Sequence, residues 1–218
     1  DYAAVVAKTR INEKFLPGMK IPARVKITAD LGRALADKTV IVIAVPSQYI
    51  RSVIQKIRGA KYPRNAVFVS VTKGIEIDSL KRMSEIIHEE LGPLHVAVLS
   101  GPTIAHEVAA GIPTTAVIAS HNRRIRERLQ DIFMTDRFRI YTCDDVIGVE
   151  VGGSLKNVIA IACGIADGLG FGSNTKAALL SRGLAEIARL GHTLGATAKT
   201  FSGISGLGDL VTTCFSSH

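Results

Sequence analysis

Lys156 lies in the run Gly152-Gly-Ser-Leu-Lys-Asn-Val-Ile-Ala-Ile-Ala, which predicts a helix that is apolar on most sides. A lysine is almost never fully buried without a partner of opposite charge. At helical spacing Gly153 and Ala160 share the face of Lys156, so small side chains leave room beside the ammonium group and we expect a cleft there. A desolvated lysine can give a proton to a carbonyl oxygen as hydride reaches the carbon. The alternative is a lysine whose ammonium group extends from the helix into solvent.

Three predicted strands end in turns rich in Gly, Pro, Ser and Thr. The turns are Ala44-Val-Pro-Ser-Gln, Ser70-Val-Thr-Lys-Gly and Leu99-Ser-Gly-Pro-Thr. Ligands of open α/β sheets bind beyond the carboxyl ends of the strands. There Lys73 would place a cation, Gly101 would let the backbone approach a ligand, and Thr103 could cap the next helix while presenting a hydroxyl. Each turn alone is ordinary, but together they favour a site for phosphate or pyrophosphate.

Two further stretches are rich in glycine. Ser205-Gly-Leu-Gly-Asp-Leu-Val-Thr-Thr-Cys puts Asp209 at a turn before a helical segment, which by itself is typical of a capped helix start. Gly168-Leu-Gly-Phe-Gly-Ser-Asn has a glycine spacing found in dinucleotide-binding turns, but it follows a predicted helix and not a strand. It therefore predicts the end of one helix and a turn into the next.

Between Lys38 and Cys143, short β-branched runs alternate with amphipathic helical patterns. This alternation is typical of βαβ units and a parallel sheet covered by helices on both faces. The predicted strands are Thr39–Val45, Ala66–Val71, Val96–Leu99, Thr115–Ala119 and Phe138–Tyr141. The predicted helices are Gln48–Arg58, Ser79–Leu91, Ala105–Ala110 and Asn122–Met134.

After Asp144 the strand patterns disappear, and two long helical patterns follow at Val146–Ile165 and Thr175–Leu194. The sequence thus predicts an α/β domain over residues 1–143 and an all-helical domain over residues 144–218. Because the first long helix is apolar on most sides, we expect it to be the buried centre of its domain.

The composition, with 47% hydrophobic and 21% charged residues in 218, is that of an ordinary globular protein. The longest apolar stretch, Val158–Ala166, is shorter than the roughly 20 residues that a bilayer requires, so membrane insertion is not expected. Cys143, Cys163 and Cys214 lack both CxxC spacing and a nearby histidine cluster, which indicates reduced intracellular thiols and no zinc site. No signal peptide is visible in the first ten residues.

The net charge of +8 suits an anionic partner, either nucleic acid or a phosphorylated metabolite. The densest basic segment, residues 121–128, has the spacing of an amphipathic helix with its arginines outside, and no aromatic residues are interleaved for base stacking. A small phosphorylated molecule is therefore favoured over nucleic acid. A nucleic-acid-binding module, the alternative, would show affinity that falls steeply with salt.

Together these residues resemble the bacterial soluble type of the NAD(P)-dependent glycerol-3-phosphate dehydrogenase family over nearly the whole chain. The matching segments are Phe15-Leu-Pro-Gly, Ala44-Val-Pro-Ser-Gln, Thr72-Lys-Gly, Ser100-Gly-Pro-Thr, Gly148–Ala160, Asn174–Arg189 and Gly203–Cys214. The resemblance implies a Rossmann-type domain, a helical domain of the 6-phosphogluconate dehydrogenase C-terminal-like type, and an active site between them. It also implies the reversible reduction of dihydroxyacetone phosphate to sn-glycerol 3-phosphate by NADH or NADPH.

The resemblance implies roles for individual residues. Lys156 matches the lysine that transfers the proton, and Asp209 supplies the partner for its charge. Lys73 matches a second active-site lysine at substrate and cofactor. The implied catalytic residues are Lys156, Lys73 and Asp209; the implied substrate contacts are Lys73, Gly101, Thr103, Lys156, Asn157, Asp209 and Thr213; the implied cofactor contacts are Pro46, Lys73 and Ala105.

Two parts of the family pattern are missing from this sequence. The opening strand, Gly-rich G-x-G-x-x-G turn, helix and second strand do not precede Asp1, so the main pyrophosphate cradle is absent and the choice between NAD and NADP is unreadable. A Ser-Arg-Asn-Arg segment, whose arginine binds substrate phosphate and cofactor, should begin just beyond His218. We therefore expect a truncated chain that is inactive alone.

Two other interpretations of this fold stay open. One is a dehydrogenase of the same architecture that acts on a 2-hydroxy or 3-hydroxy acid, although Lys73, Lys156 and Asp209 together favour a phosphorylated ketone. The other is a non-catalytic remnant that has lost the cofactor site. The family implies a cytoplasmic enzyme that supplies glycerol 3-phosphate for phospholipid synthesis, and it allows a homodimer.

Overall fold

The computed structural model of the chain describes residues 2–216. The strands are β1 (Ile11–Asn12), β2 (Leu16–Lys20), β3 (Val40–Ile43), β4 (Val67–Ser70), β5 (His95–Ser100), β6 (Thr114–Ala119) and β7 (Phe138–Cys143). The α-helices are α1 (Tyr2–Thr9), α2 (Leu31–Leu35), α3 (Ile50–Arg58), α4 (Met83–Leu91), α5 (Ala105–Ala109), α6 (Arg123–Phe133), α7 (Val146–Gly168), α8 (Ser173–Thr193), α9 (Ala198–Phe201) and α10 (Asp209–Phe215). A 3₁₀ turn spans Ser47–Tyr49 and a π-helical turn spans Ile204–Gly208.

Five strands form the main sheet in the order β3-β4-β5-β6-β7. β3, β4 and β5 are parallel, with Val42 opposite Val69 and Val69 opposite Ala97. Their carboxyl ends therefore lie at one edge of the sheet, where the three turns predicted to bind a ligand follow them. The predicted Rossmann-type α/β half and helical second half are confirmed.

One strand pair departs from the predicted parallel sheet, because β5 and β6 are antiparallel, with Leu99 opposite Ile118. Only the five-residue helix α5 lies between these two strands. A parallel crossover usually needs a longer helix that covers the sheet face. β6 and β7 are again parallel to each other, so this half of the sheet runs opposite to the first.

The two faces of the sheet carry separate cores. On one face Phe68 packs with Ile54 of α3 and Ile86 of α4. Further along that face Val98 packs against Val149 of α7. The opposite face buries the apolar side of α6, as its sequence pattern predicts. α7 thus joins the helical half directly to the sheet.

The first half of α7 is buried, as expected for the centre of its domain, but one face of its second half is exposed. Val158, Ile161 and Ile165 are 60–64% exposed in the part of the chain that the structure describes. By length and composition alone α7 could cross a membrane, although 50% of its most apolar window is buried inside the protein. Because it also holds the paired and buried Glu150 and Lys156, we interpret α7 as a core helix.

One helix starts later than predicted, and the first elements of the chain were not predicted. α4 begins at Met83 and not at Ser79, because residues 75–82 form a loop closed by a bridge between Ile75 and Arg82. The sequence patterns also did not predict the N-terminal helix α1 and the β1–β2 hairpin that follows it. These short elements lack a long run of regular hydrophobic spacing, which is the signal on which such predictions depend.

Candidate active site

The loop after β4 carries Lys73 to the carboxyl edge of the sheet. The hydroxyl of Thr72 donates a hydrogen bond of 2.8 Å to the carbonyl oxygen of Val45, which follows β3. Gly74 has φ +139°, and a Cβ built there would lie 2.6 Å from Ser47 Oγ. Glycine satisfies both the backbone angle and the close approach. Lys73 is therefore held against the turn that follows β3.

Asp209 is the first residue of α10 and directly follows the π-helical turn. In that turn the Gly208 N–H donates to the carbonyl oxygen of Gly203 at 3.1 Å. A Cβ on Gly206 would lie 2.2 Å from the carbonyl oxygen of Phe201, so this tight turn requires glycine there. π-helical turns are rare and are frequent at functional sites. The interpretation of Asp209 as a helix cap is wrong, since no side chain caps α10.

Lys156 is 8% exposed and donates two short hydrogen bonds inside the protein. Its Nζ lies 2.5 Å from Asp209 Oδ1 and 2.7 Å from Thr213 Oγ1. The Thr213 hydroxyl donates to the backbone oxygen of Asp209, which leaves its own oxygen free to accept from Lys156. The expected pairing of Lys156 with Asp209 is present, and the alternative of an ammonium group in solvent is wrong.

Lys73 contacts the other oxygen of the same carboxylate. Its Nζ lies 2.6 Å from Asp209 Oδ2 and 2.9 Å from the carbonyl oxygen of Gly101. Gly101 has φ +146°, and a Cβ there would lie 3.0 Å from Ala116 Cα, so the turn after β5 also depends on glycine. Two ammonium groups thus share one buried carboxylate, which leaves a local excess of positive charge.

Burial lowers the pKa of Lys73 to about 8, against an ordinary value of 10.5. The Asp209 carboxylate opposes this lowering of the pKa, while the positive charge of Lys156 adds to it. Lys73 therefore remains mainly protonated at pH 7 but loses its charge as the pH rises through about 8. A cation of this kind can attract an anionic ligand and still respond to pH near neutrality.

Of the other residues implied by the resemblance, Thr103 is bonded to the turn that holds Lys73, through the Gly101 carbonyl oxygen. The Thr103 hydroxyl donates to the Gly101 carbonyl oxygen at 3.3 Å and does not cap α5, whose first turn has no side-chain cap. Asn157 is exposed beside Lys156, and within residues 2–216 its side chain has no hydrogen bond to Lys156, Asp209 or Thr213. Pro46 follows β3 and Ala105 begins α5, and both are exposed.

This arrangement can stabilise negative charge that develops on an oxygen, because two ammonium groups meet in a largely desolvated place. One of them, Lys156, also has a proton to transfer and a network that fixes its position. The backbone turns at Gly101 and Gly74 are packed so closely that a Cβ at either position would meet Ala116 or Ser47. These properties suit proton transfer to a carbonyl oxygen beside an anionic substituent, while the hydride must come from a bound cofactor.

The sequence interpretation missed Glu150 and Ser154, which lie on α7 between its start and Lys156. The Glu150 carboxylate accepts from Ser84 and Arg82, and the Ser154 oxygen accepts from the N–H of Gly74. An acidic residue in the apolar pattern of α7 was the available signal. Its partners are far away in the sequence, so the pattern could not identify them.

Comparisons with known proteins agree with the geometry. The sequence model of the NAD-dependent glycerol-3-phosphate dehydrogenase N-terminus matches residues 1–126, and that of the C-terminus of the same family matches residues 145–218. The glycerol-3-phosphate dehydrogenase [NAD(P)+] of Pelotomaculum thermopropionicum is 51% identical over 100% of this chain and 63% of its own length. That of Bacillus velezensis is 50% identical over 95% of this chain and 61% of its own length.

A crystal structure of glycerol-3-phosphate dehydrogenase from Coxiella burnetii is similar throughout. The TM-score is 0.95 at 40% sequence identity, and the match covers 100% of this chain and 66% of the crystallised one. The chain thus spans less than two thirds of the length of these relatives.

Proposed function

The chain belongs to the NAD-dependent glycerol-3-phosphate dehydrogenase family, and from this premise we propose that it interconverts dihydroxyacetone phosphate and sn-glycerol 3-phosphate with NADH or NADPH. The observation that carries the proposal is the pairing of Lys156 and Lys73 with the two oxygens of Asp209. A phosphorylated ketone needs both a proton donor for its carbonyl oxygen and positive charge for its phosphate. Both needs are met within one cluster.

Lys156 is proposed as the group that gives the proton to the carbonyl oxygen of the substrate and takes it back in the reverse direction. Its ammonium group is held by Asp209 and Thr213, so its position does not depend on the substrate. Asp209 balances its charge when the proton is present. Because the pair is buried, its effect on a developing oxyanion is not weakened by bulk water.

Lys73 is proposed to hold the substrate through its charge. It is more exposed than Lys156, with 27% of its side chain accessible against 10%, so it faces the space where a ligand would lie. Gly101, Thr103, Asn157 and Thr213 are proposed to line the same space as substrate contacts. The proposed catalytic set is therefore Lys156, Lys73 and Asp209.

The residues at the carboxyl edge fit part of a nicotinamide cofactor. Lys73 provides a positive charge that suits a phosphate-bearing molecule. Pro46, after β3, and Ala105, at the start of α5, are both exposed. When bound, NADH or NADPH supplies the hydride that reduces the substrate carbon. We propose Pro46, Lys73 and Ala105 as its contacts in this chain.

We also propose a division between an α/β domain of residues 1–143 and a helical domain of residues 144–218. The last strand of the main sheet ends at Cys143 and the helical part starts at Val146, which supports this boundary. A cytoplasmic enzyme that supplies phospholipid synthesis, without membrane insertion or nucleic-acid binding and with homodimer assembly, fits the same family. Light scattering of the purified protein would test the assembly.

The test is the initial rate of NADH and NADPH oxidation with dihydroxyacetone phosphate by the complete gene product that contains this chain. Lys156→Ala should lower kcat by roughly a factor of 100 or more, the range for losing a general acid. Lys199→Ala, which removes an exposed lysine on α9, is the matched control and should leave the rate unchanged. Activity with a 2-hydroxy or 3-hydroxy acid instead, or no activity of a folded protein with either cofactor, would reject the proposed substrate.

A further inference from the structure

One face of α7 is attached to the loop that carries Lys73. The Gly74 N–H donates to Ser154 Oγ at 3.0 Å, and the Ser154 hydroxyl donates to the carbonyl oxygen of Glu150 at 2.7 Å. Each hydrogen bond of this serine is therefore assigned: it accepts from the loop and donates within its own helix. Gly74 directly follows Lys73 in sequence.

A second attachment lies one helical turn earlier on α7. Glu150 Oε1 accepts from the Ser84 N–H at 2.8 Å, and Oε2 accepts from the Ser84 hydroxyl at 2.7 Å and from Arg82 Nη1 at 2.6 Å. Ser84 lies in the first turn of α4, where backbone N–H groups have no partner within the helix. Glu150 thus satisfies the start of α4 from the other half of the protein.

Glu150 is 5% exposed, so its carboxylate would be costly to bury without these donors. Burial raises the pKa of Glu150, and the Ser84 hydroxyl and the Arg82 guanidinium oppose this rise in the pKa. Arg82 also forms an ion pair with Glu85 of α4 at 3.0 Å. The contact between α7 and the start of α4 therefore consists of an ion pair to Arg82 and two hydrogen bonds from Ser84.

The two attachments enclose the Lys73 loop. Ser154 holds it at Gly74, directly after the lysine, and Glu150 holds its far end at Arg82 and Ser84. Gly74 also lies close to the turn after β3, since a Cβ built on it would be 2.6 Å from Ser47 Oγ. Lys156 lies two residues beyond Ser154 on the same helix. α7 therefore carries both Lys156 and the two side chains that hold the Lys73 loop.

We propose that Ser154 and Glu150 are positioning residues that hold Lys73 in register with Lys156 and Asp209. Ser154 acts through the loop backbone at Gly74, and Glu150 acts through Arg82 and Ser84 at the far end of the loop. The proposal rests on the proposed function for its effect on rate, but the placement of the loop can be measured without any activity.

The test compares Ser154→Ala and Glu150→Gln in the complete gene product with the control Ser120→Ala. Ser120 is also a buried serine with a hydrogen-bonded hydroxyl, which donates to the Val96 carbonyl oxygen at 3.1 Å and not to α7 or the loop. Ser154→Ala should lower kcat with dihydroxyacetone phosphate about 10-fold, since small misplacements of reacting groups cost up to about 100-fold. Because Lys73 is also a proposed cofactor contact, the KM for NADH or NADPH should rise in Ser154→Ala and stay unchanged in Ser120→Ala.

Hydrogen exchange of peptides that cover residues 71–82 provides the second readout. The Gly74 amide should exchange faster in Ser154→Ala and as in the wild type in Ser120→Ala. If kcat and exchange both match the control, the positioning role is refuted, even if Glu150→Gln fails to fold. If the wild type shows no reaction with dihydroxyacetone phosphate, the proposed function fails, whereas faster exchange confined to residues 71–82 still supports the attachment.

Discussion

Lys73 and Lys156 donate to opposite oxygens of a single carboxylate, that of Asp209, at 2.6 and 2.5 Å. One lysine comes from the loop after a strand and the other from the long helix of the second half. Asp209 therefore joins the two halves of the protein at the place where we propose that substrate binds. It also limits the repulsion between the two ammonium groups.

Replacement of Asp209 by asparagine should affect both stability and activity. The change leaves two cations beside a neutral amide, and removing one partner of a buried ion pair typically costs about 3 to 5 kcal/mol. The free energy of unfolding should fall by an amount of this order, and kcat/KM should fall by roughly a factor of 100 or more. Asp167→Asn, at an ion pair with Lys176 whose carboxylate is half exposed, is the control. Equal effects of the two variants in denaturant titration and rate assays would contradict a special role for Asp209.

The pH dependence of substrate binding should report on Lys73. Its pKa of about 8 means that its positive charge is lost as the pH rises through that value. The KM for dihydroxyacetone phosphate should therefore rise above about pH 8, while the substrate phosphate, whose second pKa is near 6, is already ionised. In Lys73→Arg this rise should be absent, because arginine stays protonated, although the rate should be lower overall. An unchanged rise in that variant would assign the effect to another group.

Close packing of α7 predicts opposite effects for two glycines of the same helix. A Cβ on Gly152 would lie 2.8 Å from the carbonyl oxygen of Ser205, just before Asp209, whereas a Cβ on Gly164 would meet no atom within 4 Å. Gly152→Ala should destabilise the protein by about 1 to 3 kcal/mol and lower kcat. Gly164→Ala should stabilise it by up to about 1 kcal/mol through helix propensity. Thermal unfolding of both variants tests the pair, and equal shifts would argue against tight packing at Gly152.

Acid should weaken another contact of the Lys73 loop, the ion pair between Glu76 and Arg51. Hydrogen bonds from Arg51 and then Ser79 lower the pKa of Glu76 to about 2. Because this pKa lies below the unfolded value, the stabilisation is present at neutral pH and is lost as the pH falls from about 4.5 towards 2.

The matching variant is Glu76→Gln, compared with Glu186→Gln at an exposed position on α8. At pH 7, Glu76→Gln should lower the free energy of unfolding by about 2 kcal/mol, a typical value for hydrogen bonds to a charged group. Glu186→Gln should leave it almost unchanged. The difference between wild type and Glu76→Gln in denaturant titrations should shrink at pH 3. A difference that stays constant with pH would show that the Glu76 carboxylate does not provide the stabilisation.

The sequence by itself determined the fold class, the five strands of the main sheet and the burial of Lys156. β-Branched runs and helical periodicity are local signals, and they were strong from Lys38 onwards. A lysine in an apolar helix is also a local signal, since its burial demands a partner. The family motifs then pointed to Asp209 as that partner.

Only the tertiary structure decided how the site is held. The antiparallel β5–β6 pair, the loop at residues 75–82 and the attachments through Glu150 and Ser154 all join segments that are distant in sequence. Asp209 does lie at the start of a helix, directly after the π-helical turn, but its carboxylate binds two lysines and does not cap that helix. Hydrophobic spacing indicates which face of a helix or strand is buried. The partner of a buried polar group is a different matter, because it is determined only when distant elements pack against each other.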